Sequence, residues 1–422
     1  LGGFRECFSS GSICRFCLAT ESDLNNKWDE SQFVLRTSSL HARHVLLVES
    51  DPSLVSTYGV CGPSCTAEVR SFEATQSLPP DIMHDLHEGV IPFVLKHVIK
   101  RLLSKGTLTL RLLNERLEAF EFHDNDKKSR PPPLSRPSIM GNFGIKGSAA
   151  EELCLFRFFS LMVGDVVPKD NDAYSVYLAL RRIVDIVCAP QLTTNTIPYL
   201  KVLISDFYRA FAQVFPEVNV IPKMHYLIHY PRLIQLYGPL SKLSSMRFEA
   251  KHQYFKSLAR KTRNFINICH TLSTRHQLYE MYHLSQSKEQ ITTSGCKRVP
   301  FEELPELLQD RLHELELWSA QVTTVNSVTM SQRTFRKECV LPLTAFDDDL
   351  PDFAEVTMIV ISNERVFIVA TILQTRFFDD HFHVYVVDYT THAVVIEDDY
   401  HRSEFHDLLS VYRLNKKRYI DM

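Results

Sequence analysis

Apolar positions keep a helical period through the first two thirds of the chain and gather into short β-branched or aromatic runs near its end. Met83, Leu86, Val90, Val94, Val98 and Leu102 recur at helical spacing, predicting a helix that starts at Pro80 or Asp81. Proline in a first turn lacks only an amide that would be unpaired there, and an acid suits the helix dipole. Pro92 predicts a kink, because it has no N–H to give to the ladder. Leu110, Leu113, Leu117 and Phe120 mark a second helix, and the proline-rich, basic stretch 124–138 reads as an exposed loop. Further helices are expected near 149–163, 171–188 and 196–214, and across about 220–285. Residues 286–335 are polar and mixed, which predicts a linker with one helix around 302–318. Beyond it, Val356–Ile361, Val366–Ile372, Phe382–Val387 and Ala393–Ile396 are β-branched or aromatic runs. Turn-forming residues separate them, Asp388–Thr391 among these, so a small antiparallel meander or barrel is expected. The fold class is therefore α+β.

Composition narrows the picture slightly. A chain of 422 residues, 45% hydrophobic and 23% charged, can bury the cores of two or three soluble domains. No run of 18 or more apolar residues occurs, so no membrane span is expected. Six of the ten cysteines stand singly (Cys7, Cys154, Cys188, Cys269, Cys296, Cys339), which fits a reducing, intracellular setting better than a disulfide framework. Leu1 stands where an initiating Met would, so a fragment or an incompletely predicted reading frame is expected. The net charge of −3 says nothing of nucleic acid, but its distribution does. Residues 222–264 hold nine Lys and Arg against Glu249 alone, whereas 347–407 hold fourteen acids against three Arg.

Four groups of residues could carry chemistry. Cys14-Arg-Phe-Cys17 places two thiols on a tight knuckle, half of a tetrahedral zinc site. His225 and His229, four apart, face one side of a helix and can supply the other half. Alternatively, the cysteines are small buried residues and the histidines cap a core. Asp81, His84, Asp85 and Glu88, with His87 beside them, form a rival cluster. It could bind metal, or be a polar face at a helix start. Cys61 and Cys65 are a weaker pair on a turn. On the helix that follows His229, Glu249, His252, Lys256 and Arg260 share one side, and Phe248, Phe255 and Leu258 another. Glu249 among cations is either a surface ion-pair partner or a magnesium ligand whose neighbours hold phosphates.

Leu78-Pro-Pro-Asp81-Ile-Met-His84 resembles the Asp-x-x-His motif of CACTA/EnSpm-like transposases. Pro222-Lys-Met-His225-Tyr-Leu-Ile-His229-Tyr-Pro, followed by Ser245-Met-Arg-Phe-Glu249-Ala-Lys-His252, resembles their animal branch. Leu1-Gly-Gly-Phe4-Arg-Glu-Cys-Phe8, leading into Cys14 and Cys17, is similar to the stretch after their second catalytic Asp. The order of zinc pairs and Glu is also similar to that in the V(D)J recombinase catalytic subunit. The resemblance covers about residues 1–285. It implies an RNase H-like remnant with the knuckle over 1–75 and a helical insertion over 76–235. A helix carrying the catalytic Glu follows over 236–285, then the linker and a small β domain over 336–422.

The resemblance further implies that Cys14, Cys17, His225 and His229 hold one structural zinc, and that Glu249 is the last carboxylate of a DDE nuclease. It implies magnesium or manganese in an intact catalytic site only. Arg247, Lys251, Lys256, Arg260, Lys261 and Arg263 are the expected DNA contacts, with a second copy of the chain as a further partner and the nucleus as the location. The two catalytic aspartates belong before Leu1 in that pattern, so the expected function is a C-terminal transposase fragment inactive by itself. The alternatives are a non-catalytic, transposase-derived zinc protein that binds DNA or chromatin, and an unrelated metalloenzyme built on the Asp81–Glu88 cluster.

Overall fold

The computed structural model describes residues 2–5, 11–124, 126–141, 144–285, 291–330, 333–343, 350–397, 408–414 and 417–421. Cys7 and the acidic stretches 347–349 and 398–407 lie outside them. The architecture is mixed α+β, in two compact units, Leu1–Ser245 and Met246–Met422.

The first unit is helical. Its helices are α1 (Ser38–Ser50), α2 (Val55–Tyr58), α3 (Ile91–Ser104), α4 (Leu110–Ala119), α5 (Arg136–Met140), α6 (Ala149–Val163), α7 (Asp172–Cys188), α8 (Thr196–Val214), α9 (Pro222–Tyr226) and α10 (Tyr230–Tyr237). Side-chain caps start α6 and α7 among them. Ser148 and Glu151 form a capping box on α6, and the Asn171 side chain accepts from the Tyr174 amide at the start of α7. The core is unusually aromatic. Phe156, Phe158 and Phe159 of α6, Tyr174 and Tyr177 of α7, and Phe207, Tyr208 and Phe211 of α8 are all essentially inaccessible. Buried hydroxyls still need partners. Tyr177 donates to the Phe156 carbonyl (2.9 Å), and Tyr208 donates to the carbonyl of Met224.

The helix expected from Pro80 is not plain α. Met83–Val90 is π-helical, and α3 continues from Ile91 with Pro92 in its first turn. Ile91 donates back five residues, to Leu86. Pro92 has no donor for the α ladder, and the wider turn absorbs the break where a kink was expected.

The second unit opens with two helices, α11 (Met246–Thr262) and α12 (Ile268–Ser285), neither of which buries a residue. Tyr254 and Phe255 of α11 lie against His276 and Tyr279 of α12, with ring centroids 5.4–6.0 Å apart. The segment 286–335, expected as a linker, instead carries strands β1 (Thr292–Ser294), β2 (Lys297–Pro300), β3 (Gln321–Val325), β4 (Ser327–Met330) and the start of β5 (Arg333–Arg336), with helix α13 at Glu306–Glu314. The tail adds β6 (Val340–Pro342), β7 (Phe353–Ser362), β8 (Arg365–Asp379), β9 (Val384–Ile396), β10 (Val411–Leu414) and β11 (Lys417–Ile420). β2 and β3 join the tail's sheet, in the order β10-β11-β9-β8-β7-β3-β2, with β6 also on β7. β1, β4 and β5 form a second, three-stranded sheet. The pairings among the described residues are antiparallel. Short polar strands such as Thr292–Ser294 carry little apolar signal, so the sequence reads them as linker.

β8 explains its own composition. Val366, Ile368 and Ala370 pack with Val356 and Phe335 on one face, and Phe367 and Val369 pack with Leu308 and Leu312 of α13 on the other. A strand buried on both faces reads as one apolar run. The turn expected at Asp388–Thr391 is absent. Those residues lie inside β9, where the β8 register slips between Thr371 and Leu373 and Thr390 Oγ1 donates to the Ile372 carbonyl (2.9 Å). Turn-favouring side chains satisfy a bulge as readily as a hairpin.

Candidate metal centre

The knuckle is built by the backbone before any ligand is considered. Ile13 donates to Ala19 (3.0 Å), Leu18 to Val34 (3.0 Å) and Arg36 to Phe16 (2.9 Å), which folds residues 12–20 into a tight loop. The Phe16 amide donates to Cys14 Sγ (3.2 Å). The opposite half starts at Pro222, which suits the first turn of α9. Pro231 removes a donor just beyond, and between the two prolines Leu227–His229 tightens into a single 3-10 turn. His225 and His229 then point the same way.

The two halves meet. Cys14 Sγ lies 3.4 Å from His229 Nε2, and Cys17 Sγ lies 3.2 Å from His225 Nε2. The two Nε2 atoms are 3.3 Å apart, and all four donor atoms lie within 4.8 Å of one another. Tetrahedral zinc with ordinary bond lengths puts neighbouring donors about 3.3–3.8 Å apart. The set therefore fits a metal ion, and all four residues are buried. Burial works against ionising Cys14, but the Cys17 thiol and the two imidazoles hold it well below the ordinary thiol value. Its thiolate in turn pushes Cys17 up. A bound cation would relieve that competition by accepting both sulfurs as thiolates.

No local spacing marks the groups that stand behind these four side chains. Glu30 accepts from His229 Nδ1 (2.6 Å), which leaves Nε2 free to face the sulfurs, and also accepts from Arg232 Nε (2.8 Å). Burial opposes the charge on Glu30, and His229 and Arg232 outweigh it and lower its pKa. The same carboxylate and Cys14 raise His229 against the opposing effect of burial. Carboxylate–histidine pairs of this kind set the tautomer and orientation of a metal ligand. Arg36, also buried, donates to the carbonyls of Cys14 (3.2 Å) and Tyr58 (2.9 Å), placing a cation beneath the thiols. Outside the centre, Asn25 accepts from the Val220 amide (2.9 Å) and Trp28 stacks on Tyr208 (6.1 Å), joining the same two chain segments.

The rival clusters do not assemble. Among the described residues, Cys14, Cys17, His225 and His229 are the one group of three or more ligand-type side chains gathered closely enough for a metal. The wide π turn defeats the α-helical phase on which the Asp81–Glu88 face was read: Asp85 and His87 are buried, while His84 and Glu88 are exposed. His87 Nε2 faces Cys188 Sγ at 3.4 Å. Burial pushes the Asp85 carboxyl up to about 7, and His87 down to about 4. Asp81 is instead lowered: burial works against it, and bonds from Ser245, His84 and Met83 prevail. Cys61 and Cys65 are exposed.

Glu249 sits exposed in the first turn of α11, in the second unit. Of the expected DNA contacts, Arg247, Lys256, Arg260, Lys261 and Arg263 are exposed. Lys251 is half-buried, pairs with Glu280 (3.2 Å) and lies over the Tyr254 ring.

Fold and site together define a mixed α+β protein whose helical unit is closed by a buried centre of two cysteines and two histidines. No protein-family model matches the chain, and no curated protein matches it. No helix among the described residues is long and apolar enough to cross a membrane.

Proposed function

We propose that this chain is transposase-derived, the zinc-stapled C-terminal part of a DDE strand-cleaving and strand-transferring enzyme of the CACTA/EnSpm-like kind, and that it acts on DNA in the nucleus. One observation carries the reading. Cys17 and His225 meet across 208 residues, Cys14 and His229 across 215, and these are the four residues that the resemblance pairs. Closing a loop of that size costs the unfolded chain roughly 5 kcal/mol of configurational entropy. A structural metal offsets such a cost, and the sulfur–imidazole donor set favours zinc over the hard cations magnesium and calcium. Glu249 follows His229 by twenty residues in the order expected of the last catalytic carboxylate. The exposed cations Arg247, Lys256, Arg260, Lys261 and Arg263 supply sequence-tolerant phosphate contacts.

Three carboxylates hold the two metal ions of such chemistry. A polypeptide of these 422 residues carries Glu249 without the two aspartates that precede the knuckle in the pattern. It is therefore expected to bind DNA and leave it uncut. Affinity should fall steeply with salt, and neutralising Lys256, Arg260 and Lys261 together should flatten the slope by about three. Magnesium-dependent nicking that vanishes in Glu249→Gln would contradict the inactive state. DNA binding indifferent to salt would remove the DNA reading itself.

A further inference from the structure

Asp81 and His84 stand out in the sequence, yet the metal centre does not use them. Their contacts give them another task. Asp81 lies just before the π-helical turn, and its carboxylate serves two separate stretches of chain. Oδ1 accepts from the Met83 amide (3.1 Å), which holds the start of the helix. The same oxygen accepts from the amide of Ser245 (3.0 Å), 164 residues further on. Oδ2 lies 2.5 Å from His84 Nδ1, so the carboxylate is held at both oxygens. Ser245 Oγ lies 3.4 Å from that same Nδ1 and 3.6 Å from Met83 Sδ. Ser245 is the last residue of the helical unit, and α11 begins at the next residue.

We infer that Asp81 and His84 form a backbone latch, a positioning pair that fixes the point where the chain leaves the helical unit and enters the helix of Glu249. The bond is charge-assisted, stronger than one between neutral groups. It grips a main-chain amide, so it works with any residue at 245 except proline. His84 stops the carboxylate from turning away. Three residues lie between the latched Ser245 and Glu249. The latch rests on contacts inside the helical unit and holds whether or not the chain acts on DNA.

Hydrogen–deuterium exchange on the zinc-loaded full chain tests it. In Asp81→Ala, the amides of residues 245–250 should exchange about tenfold faster, with zinc retained and the segments 13–18 and 225–229 unchanged. Asp81→Asn keeps an oxygen acceptor at Oδ1 and should restore most of the protection. Ser245→Pro removes the donor from the other side and should reproduce the faster exchange over 246–250 with Asp81 intact. Unchanged exchange there in both Asp81→Ala and Ser245→Pro overturns the latch. So does a Ser245→Pro chain whose exchange rises evenly across the helical unit, because that marks a general loss of fold. If Asp81→Ala sheds its zinc, Ser245→Pro decides alone. Salt-dependent DNA affinity is measured separately, so failure of the DNA reading leaves the exchange result intact.

Discussion

Glu30 ties one imidazole of the candidate metal centre to a cation. It holds His229 Nδ1 at 2.6 Å and is itself held by Arg232. Glu30→Gln keeps the size and a hydrogen-bonding group but loses the charge that favours Nε2 as a metal donor. Zinc affinity should fall about 10–100-fold, read by competition with a chromophoric chelator. An unchanged affinity would make Glu30 a packing residue only. The two cysteines and the two histidines were visible in the sequence as separate pairs, because thiols with two residues between them and imidazoles one helical turn apart are local patterns. Glu30 and Arg36 were not, because their partners are distant and a lone acid or arginine has no spacing to read.

At the scale of elements, the π-helical turn changes which side chains are buried. An α-helical phase from Asp81 puts Asp85 on an open polar face, yet the turn carries it inside, where burial raises its carboxyl to about 7. A carboxyl raised in this way is protonated in the fold while ionised in the unfolded chain between about pH 4 and 7. The folded state therefore binds the extra proton, and stability falls as pH rises through that window. At pH 8 the penalty is on the order of 4 kcal/mol. Asp85→Asn should raise the thermal midpoint at pH 8 and leave it nearly unchanged at pH 4, measured by thermal unfolding at both. An equal rise at both pH values would assign the gain to packing. Gly89, in the same turn, has no room for a Cβ, which would lie 2.4 Å from Lys223 Cδ and 3.1 Å from the His84 carbonyl. That closeness lets the turn pack beside α9, which carries His225.

At the scale of the whole molecule, the two units hold themselves together differently. The helical unit joins an aromatic core to a candidate metal centre whose four residues span most of its length. The core of the β domain comes from β strands and α13, and no ligand-type cluster contributes to it among the described residues. Chelation should therefore lower the unfolding transition of the helical unit by about 10 °C or more and leave the β-domain transition in place. Circular dichroism at helix and sheet wavelengths during a melt, with and without chelator, reads both. A single transition that moves as one would mean that the metal supports the entire chain.

The sequence alone was enough for the apolar periods of α6 to α8, the first two of which also carry a side-chain cap, for the apolar runs of the tail, and for the two local half-sites, the cysteine knuckle and the histidine pair. Each depends on neighbours within a few residues, where spacing is geometry. Tertiary structure decided that the supposed linker belongs to the β sheets, that Asp388–Thr391 bulges instead of turning, and that Asp81 reaches Ser245. It also decided that Glu30 stands behind His229. Those outcomes depend on which distant segment arrives beside a polar group, and a chain read in order carries no local mark of its distant partners.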